Sequence, residues 1–94
     1  MIMATKTTKV RHRGKAYALA IVREHEEDDD ASVTITLPSG GVIHGMHGVG
    51  GLDLSEYTVG GERCPITGDL YERIADRVES VCADWDWSHD EDET

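Results

Sequence analysis

The C-terminal half of the chain contains an apolar repeat at helical spacing, and this repeat restricts the possible folds more than any other feature. Its members recur every three or four positions: Leu70, Ile74, Val78, Val81 and Trp85, with Tyr71, Ala75 and Cys82 beside them. This spacing predicts one amphipathic helix that continues to Trp85. Residues 64–67 (CPIT) indicate its entry, because proline is tolerated in a first turn and Thr67 or Asp69 can cap it. Such a helix is stabilised mainly by burying its apolar face, so the rest of the chain must supply a surface for it.

Three stretches before the helix predict that surface. Residues 31–38 (ASVTITLP) alternate strictly between apolar and hydroxyl side chains, as in a half-buried strand. A Pro-Ser-Gly-Gly turn leads to a further strand over residues 41–46, antiparallel to the first. Residues 15–26 mix helix and strand formers. We interpret them as a strand, because they lack an N-cap and helical spacing and a short turn leads directly into the clear strand.

The two remaining segments leave the strand count open. Thr5 to His12 alternates weakly and fits either a short edge strand or a disordered arm. The glycine-rich stretch HGMHGVGGLDL, residues 44–54, is interpreted as a flexible exit from the sheet, with Leu52 and Leu54 returning to the core. The expected fold is therefore α+β, with a three- to four-stranded antiparallel sheet packed by one C-terminal helix. It forms a single domain over residues 1–94, with a basic N-terminal arm (about 1–14) and an acidic tail (about 86–94).

Charge separates the two ends of the chain. Nineteen acidic residues face nine basic ones, a net charge of −10. Residues 1–15 carry +5 and residues 16–94 carry −15. Phosphates would be repelled by the body of the protein, so direct nucleic-acid binding is not expected. No apolar run approaches the roughly 18 residues needed to span a bilayer, and the N-terminus lacks a secretory h-region, so we expect a cytoplasmic protein.

The motifs that would indicate an enzyme or a bound cofactor are incomplete. The glycines after His44 are followed by Leu-Asp and not by the Gly-Lys-Ser/Thr of a phosphate loop, and no helix starts there to hold a dinucleotide. No nucleophile elbow is present. We therefore expect a protein without enzymatic activity and without a cofactor.

A zinc site is the alternative considered from the residue types. His44 and His47 have HxxH spacing and, with Cys64 and Cys82, would complete a Cys2His2 set. The two cysteines are 18 positions apart, unlike the close pairs of structural zinc sites. Strand alternation would also place the two histidines on opposite faces. The simpler interpretation is two reduced thiols, with Cys82 buried as a small apolar side chain.

Acidic clusters are the strongest candidates for a binding surface. They lie in the turn after the first long strand, on the solvent face of the helix and in the tail: Glu26, Glu27, Asp28, Asp29, Asp30, Glu72, Asp76, Glu79, Asp84 and Asp86, with Trp87 as a possible aromatic anchor. No single cluster matches the charge density of duplex DNA, about one charge per 1.7 Å of axis. Imitation of DNA would require the clusters to converge on one face.

The short chain, the EHEEDDD cluster and the DWDWSHDEDE tail resemble small phage-encoded inhibitors, including the anti-CRISPR proteins. The resemblance concerns size and composition, and no residue role is carried over. It implies a non-enzymatic inhibitor that binds the basic surface of a host nucleic-acid-handling complex, such as a CRISPR effector, in the host cytoplasm. The alternatives are a small zinc-binding domain, and a structural or complex subunit whose acidity serves solubility alone.

Overall fold

A computed structural model of the 94-residue chain describes residues 4–23, 30–48 and 50–84. Within these ranges, five strands precede one helix. They are β1 (Ala4–His12), β2 (Lys15–Arg23), β3 (Ala31–Thr36), β4 (Val42–Gly48), β5 (Gly51–Leu54) and α1 (Gly68–Ala83). The strands form one antiparallel sheet in the order β1-β2-β3-β4-β5. The α+β class is confirmed, with five strands where three or four were expected.

The N-terminal segment is a full edge strand of this sheet. β1 pairs with β2 from Ala4 opposite Arg23 to His12 opposite Lys15. The two turn residues, Arg13 and Gly14, have φ values of 53° and 79°, as in the type I′ turns that join tightly paired strands. Of the two interpretations of residues 5–12, the edge strand is therefore correct. The interpretation of residues 15–26 as a strand is confirmed over Lys15–Arg23.

The glycine-rich stretch at 44–54 is a second tight hairpin, and its interpretation as a flexible exit is wrong. β4 and β5 pair from Gly45 opposite Leu54 to Gly48 opposite Gly51. Gly51 has a φ of 105°, which an L side chain rarely adopts. Glycine at this position allows the chain to reverse direction between β4 and β5. The expected return to the core is seen at Leu52, which is buried, while Leu54 is half-buried against it.

The core lies between the sheet and α1. Three helix residues, Leu70, Ile74 and Val78, are buried against strand residues that alternate onto the same face of the sheet. Val81, Tyr71 and Cys82 pack partly buried at the margins. Thr67 occupies the N-cap position without a capping bond from its side chain, and the helix ends at Ala83. Trp85, predicted as the last residue of the apolar repeat, lies outside the described residues.

Side chains from α1 reach both edge strands and fix the direction of the helix. Arg73 donates a hydrogen bond to the carbonyl oxygen of Arg11 at 3.1 Å, and Arg77 donates one to that of Lys9 at 2.8 Å. Tyr71 donates its hydroxyl to the carbonyl of Leu52 on β5. As the helix advances, its β1 contacts move toward the start of that strand. The C-terminal end of α1 therefore points to the end of the sheet where β1 begins and β2 stops.

Candidate functional site

The net charge of the protein comes entirely from two segments that flank described elements. The described ranges contain nine acidic and nine basic residues, so they are electrically balanced. The other ten acidic residues lie in residues 24–29, which join β2 to β3, and in residues 85–94, which follow α1, with five in each. We call these two stretches the acidic segments. The described scaffold is thus neutral overall, and the net charge of −10 comes from the two acidic segments.

Both acidic segments start from the same end of the sheet. Arg23 and Asp30 bound the first segment, and Asp84 precedes the second. The helix runs antiparallel to β1, which brings its last turn toward Arg23. Burial raises the pKa of the Cys82 thiol, and Arg23 is close enough to offset part of that rise electrostatically. We call this region, bounded by Arg23, Asp30 and Asp84, the acidic end.

The predicted contact residues divide between this end and the outer side of the helix. Asp30 and Asp84 are exposed at the acidic end. Glu72, Asp76 and Glu79 are exposed along α1. The remaining predicted contacts lie outside the described residues: Glu26, Glu27, Asp28, Asp29, Asp86 and Trp87. The residues from which the two acidic segments extend, Arg23, Asp30 and Asp84, therefore lie at the same end of the sheet. The sequence patterns did not determine this.

Within the described ranges, the arginines of α1 do not pair with its acidic side chains. Arg73 and Arg77 extend to the edge of β1, where they bond backbone oxygens. Sequence spacing alone allows ion pairs at i, i+3 and i, i+4 with Asp76 or with other helix acids. No such pair joins either arginine to a carboxylate within the part of the chain that the structure describes. The exposed carboxylates of α1 are consequently available to a partner.

The C-terminal end of α1 has an unfavourable charge for a helix. Its last turn contains no basic residue, and Asp84 occupies the C-cap. Negative charge at this position opposes the helix macrodipole, at a cost of about 0.3–1 kcal/mol per charge at exposed sites. A surface selected only for solubility has no reason to place acids here, since exposed helix positions elsewhere accept them without this penalty.

Basic side chains gather at the opposite end of the β1–β2 hairpin. Arg11, Arg13 and Lys15 are all exposed around its turn, which we call the hairpin end. The sequence indicated a basic N-terminal arm over about residues 1–14. In the structure, the length of β2 separates this turn from the acidic end. Arg11 and Arg13 therefore lie away from the anchors of the acidic segments, whereas Lys6, opposite Ile21 on β2, lies toward them.

The zinc candidates do not come together. His44 is exposed on the outer face of the sheet, where its Nδ1 lies 3.4 Å from the hydroxyl of Thr34. His47 pairs with Ala31 and faces the core side, so the two histidines lie on opposite faces. Cys64 and Cys82 are free thiols, each partly buried against the core. Among the described residues, no three His, Cys, Asp or Glu side chains form a group that could hold a metal ion.

Cys82 has the chemical character of a packed apolar side chain. Burial raises the pKa of its thiol, and the nearby guanidinium of Arg23 partly offsets this effect. A raised pKa keeps the thiol protonated and weakly nucleophilic at neutral pH. The prediction of a small apolar residue at this position agrees with its partly buried contacts along α1.

Comparisons with known proteins yield no assignment. No helix in the described ranges is long and apolar enough to cross a membrane. No protein-family model matches the chain, and neither the curated proteins nor the solved structures contain a significant match.

Proposed function

We propose that this chain is a non-enzymatic binding protein that inhibits a nucleic-acid-handling complex, of which a CRISPR effector is an example, in the cytoplasm of the host cell. The observation that carries the proposal is the charge division. A neutral α+β scaffold presents ten acidic residues on two segments, and the anchors of both lie at its acidic end. Concentrated negative charge is complementary to a basic groove that normally holds nucleic acid.

The physical role of the acidic segments is to accelerate encounter and to occupy the groove. Complementary potentials steer association and raise its rate by one to three orders of magnitude at low ionic strength. The exposed carboxylates of Glu72 and Glu79 on α1 extend the charged surface beyond the acidic end. Binding of this kind competes directly with phosphates for the same basic side chains.

A purely solubilising role for the acids is the main alternative. Two observations favour binding. The acids are concentrated in two segments while the scaffold is balanced. The end of α1 also bears negative charge against its own macrodipole. The zinc alternative has less support, because His44 and His47 face opposite sides of the sheet.

The test uses two variants with the same net charge. In the first, Asp28, Asp29 and Asp30 are all replaced by Lys. In the second, the same reversal is made at Glu56, Glu62 and Asp69, which are exposed and outside the proposed binding surface; the first two lie in the loop between β5 and α1. Both variants have a net charge of −4, so only the position of the change differs. Tagged protein is used to isolate bound complexes from host lysate, and competition with nucleic acid is then measured on the purified complex.

The proposal expects a nucleic-acid-binding complex that salt releases, and whose nucleic-acid binding the wild-type protein reduces. The reversal at 28–30 should weaken the interaction by at least about tenfold and flatten its salt dependence, while the loop and helix reversal changes it much less. Equal effects of the two variants would identify a general charge effect. A stable partner whose nucleic-acid binding is unchanged would indicate a structural subunit.

A further inference from the structure

The face of the sheet opposite α1, which we call the outer face, carries no charged side chain at its centre. At its centre, none of the residues from β2, β3 and β4 is Asp, Glu, Lys or Arg, in a chain with 30% charged residues; Lys9 and Arg11 on β1 and Asp53 on β5 border this centre. No described element lies over it. Six residues of this centre are apolar: Ala16, Ala18, Ala20, Val22, Val42 and Met46. Solvated sheet faces are normally polar, and contiguous apolar surface indicates an interaction site.

On the outer face, a depression lies next to the larger side chain of Val22. The depression has a volume of about 310 Å³ and lies over β1, β2 and β3; Ala18, Ala20, Thr34 and Thr36 line it, with Lys9 on its β1 side. Its shallow floor results from the small alanine side chains of β2. Val22, two positions beyond Ala20 on the same face of β2, is larger and half-buried.

We propose that the outer face binds a second copy of this chain, forming a two-fold symmetric dimer with the sheets face to face. The axis passes near Ala20 and perpendicular to the strands, so that β2 of one copy runs antiparallel over β2 of the other. Ala18 and Val22 are equally distant from Ala20 along β2. The two-fold axis therefore places Val22 of each copy over Ala18 of its partner, where the larger side chain enters the depression.

Charge favours this orientation over the parallel one. The antiparallel arrangement places the basic hairpin end of each copy over the acidic end of its partner. Arg13 and Lys15 then lie above the point where the partner's chain leaves β2 into its first acidic segment. A parallel arrangement would bring two acidic ends together, with strong repulsion between like charges. The dimer does not depend on the proposed inhibitory function.

The size of the face predicts a dimer that dissociates on dilution. Five strands about 4.8 Å apart and about six residues long cover roughly 400 Å² in projection on each copy. The total of roughly 800 Å² is below the approximately 1,200–2,000 Å² of stable interfaces. We therefore expect a concentration-dependent equilibrium between monomer and dimer.

Sedimentation of the full chain from about 10 μM to about 1 mM measures this equilibrium. Ala18→Arg introduces a long charged side chain into the centre of the interface, whereas Ser39→Arg makes the same charge change in the exposed β3–β4 turn. The proposal expects at least about a tenfold weaker dimer for Ala18→Arg and no change for the turn variant. A monomer over the whole concentration range, or a dimer that Ala18→Arg leaves intact, would overturn it.

Cross-linking tests the position of the two-fold axis without disturbing the interface. Ala20→Cys is made in a chain with Cys64→Ser and Cys82→Ser, and Ser39→Cys in the same background serves as the control. Two Cα atoms of facing sheets at the axis are about 10 Å apart, within reach of a short bis-maleimide. The Ala20→Cys chain should form covalent dimers at least about tenfold faster than the control. Equal rates would exclude this geometry even if the protein is dimeric.

Discussion

The guanidinium of Arg77 on α1 donates a 2.8 Å hydrogen bond to the backbone carbonyl of Lys9 on the edge strand β1. The two-residue turn makes His12 and Lys15 a hydrogen-bonded pair, so the carbonyls of Lys9 and Arg11 point away from β2 to the free edge. Arg77 and Arg73 thus donate hydrogen bonds to backbone carbonyls that would otherwise be free to pair with another strand. Exposed edges of this kind promote aggregation.

Replacing Arg77 by Ala should lower the free energy of unfolding by about 1–2 kcal/mol, because it removes two solvent-exposed hydrogen bonds to β1, to the carbonyl of Lys9 and to the hydroxyl of Thr8. Urea denaturation with an unchanged m-value would measure the loss. Arg63→Ala is the matched control, since Arg63 is exposed and its side chain makes no hydrogen bond within the described residues. Equal losses in the two variants would show that the β1 contact contributes nothing specific.

Gly45 is required by close approach between β4 and β5. A Cβ atom at this position would lie 2.6 Å from the carbonyl oxygen of Asp53 and 2.6 Å from Cδ2 of Leu54. Gly45→Ala should therefore destabilise the protein by about 1–3 kcal/mol. Gly50→Ala, where a Cβ meets nothing within 4 Å, should be close to neutral. Thermal or urea unfolding of the two variants compares them directly, and a neutral Gly45→Ala would contradict the β4–β5 pairing.

Ile74 on α1, like Val78, has no exposed surface at the interface with the sheet. Ile74→Ala should cost about 2–5 kcal/mol, through lost burial and the cavity that remains. Val81→Ala, at a half-buried position of the same helix, should cost less than half as much. Chemical denaturation measures both. A similar cost at the two positions would mean that α1 covers the sheet with a different face.

Cys82 should react with alkylating reagents only at higher pH than an unfolded thiol. Burial raises its pKa, with Arg23 opposing part of the shift. The pH profile of alkylation, measured in a Cys64→Ser background, should lie above the profile in denaturant. By linkage, this group stabilises the fold fully below the unfolded pKa, and that contribution is lost as pH rises through the folded pKa. Identical profiles in the folded and denatured chain would show that the thiol is not desolvated.

Local patterns predicted the elements whose signals are short-range. The strict alternation around Val33 and Ile35 predicted β3, and the repeat through Leu70, Ile74 and Val78 predicted the buried face of α1. These signals succeed because side-chain periodicity and burial are coupled within one element. The prediction for residues 44–54 failed for the opposite reason. Glycine indicates conformational freedom, but only pairing with a neighbouring strand determines that Gly48 and Gly51 close a hairpin.

The sequence by itself determined the α+β class, the apolar face of the helix and the amount and order of charge along the chain, because each depends on neighbouring residues. The tertiary structure decided what that charge can do. Strand pairing and the antiparallel course of α1 along β1 bring Arg23, Asp30 and Asp84 to one end and leave Arg13 and Lys15 at the other. These relationships join residues up to 68 positions apart, and only the packing of helix against sheet fixes them.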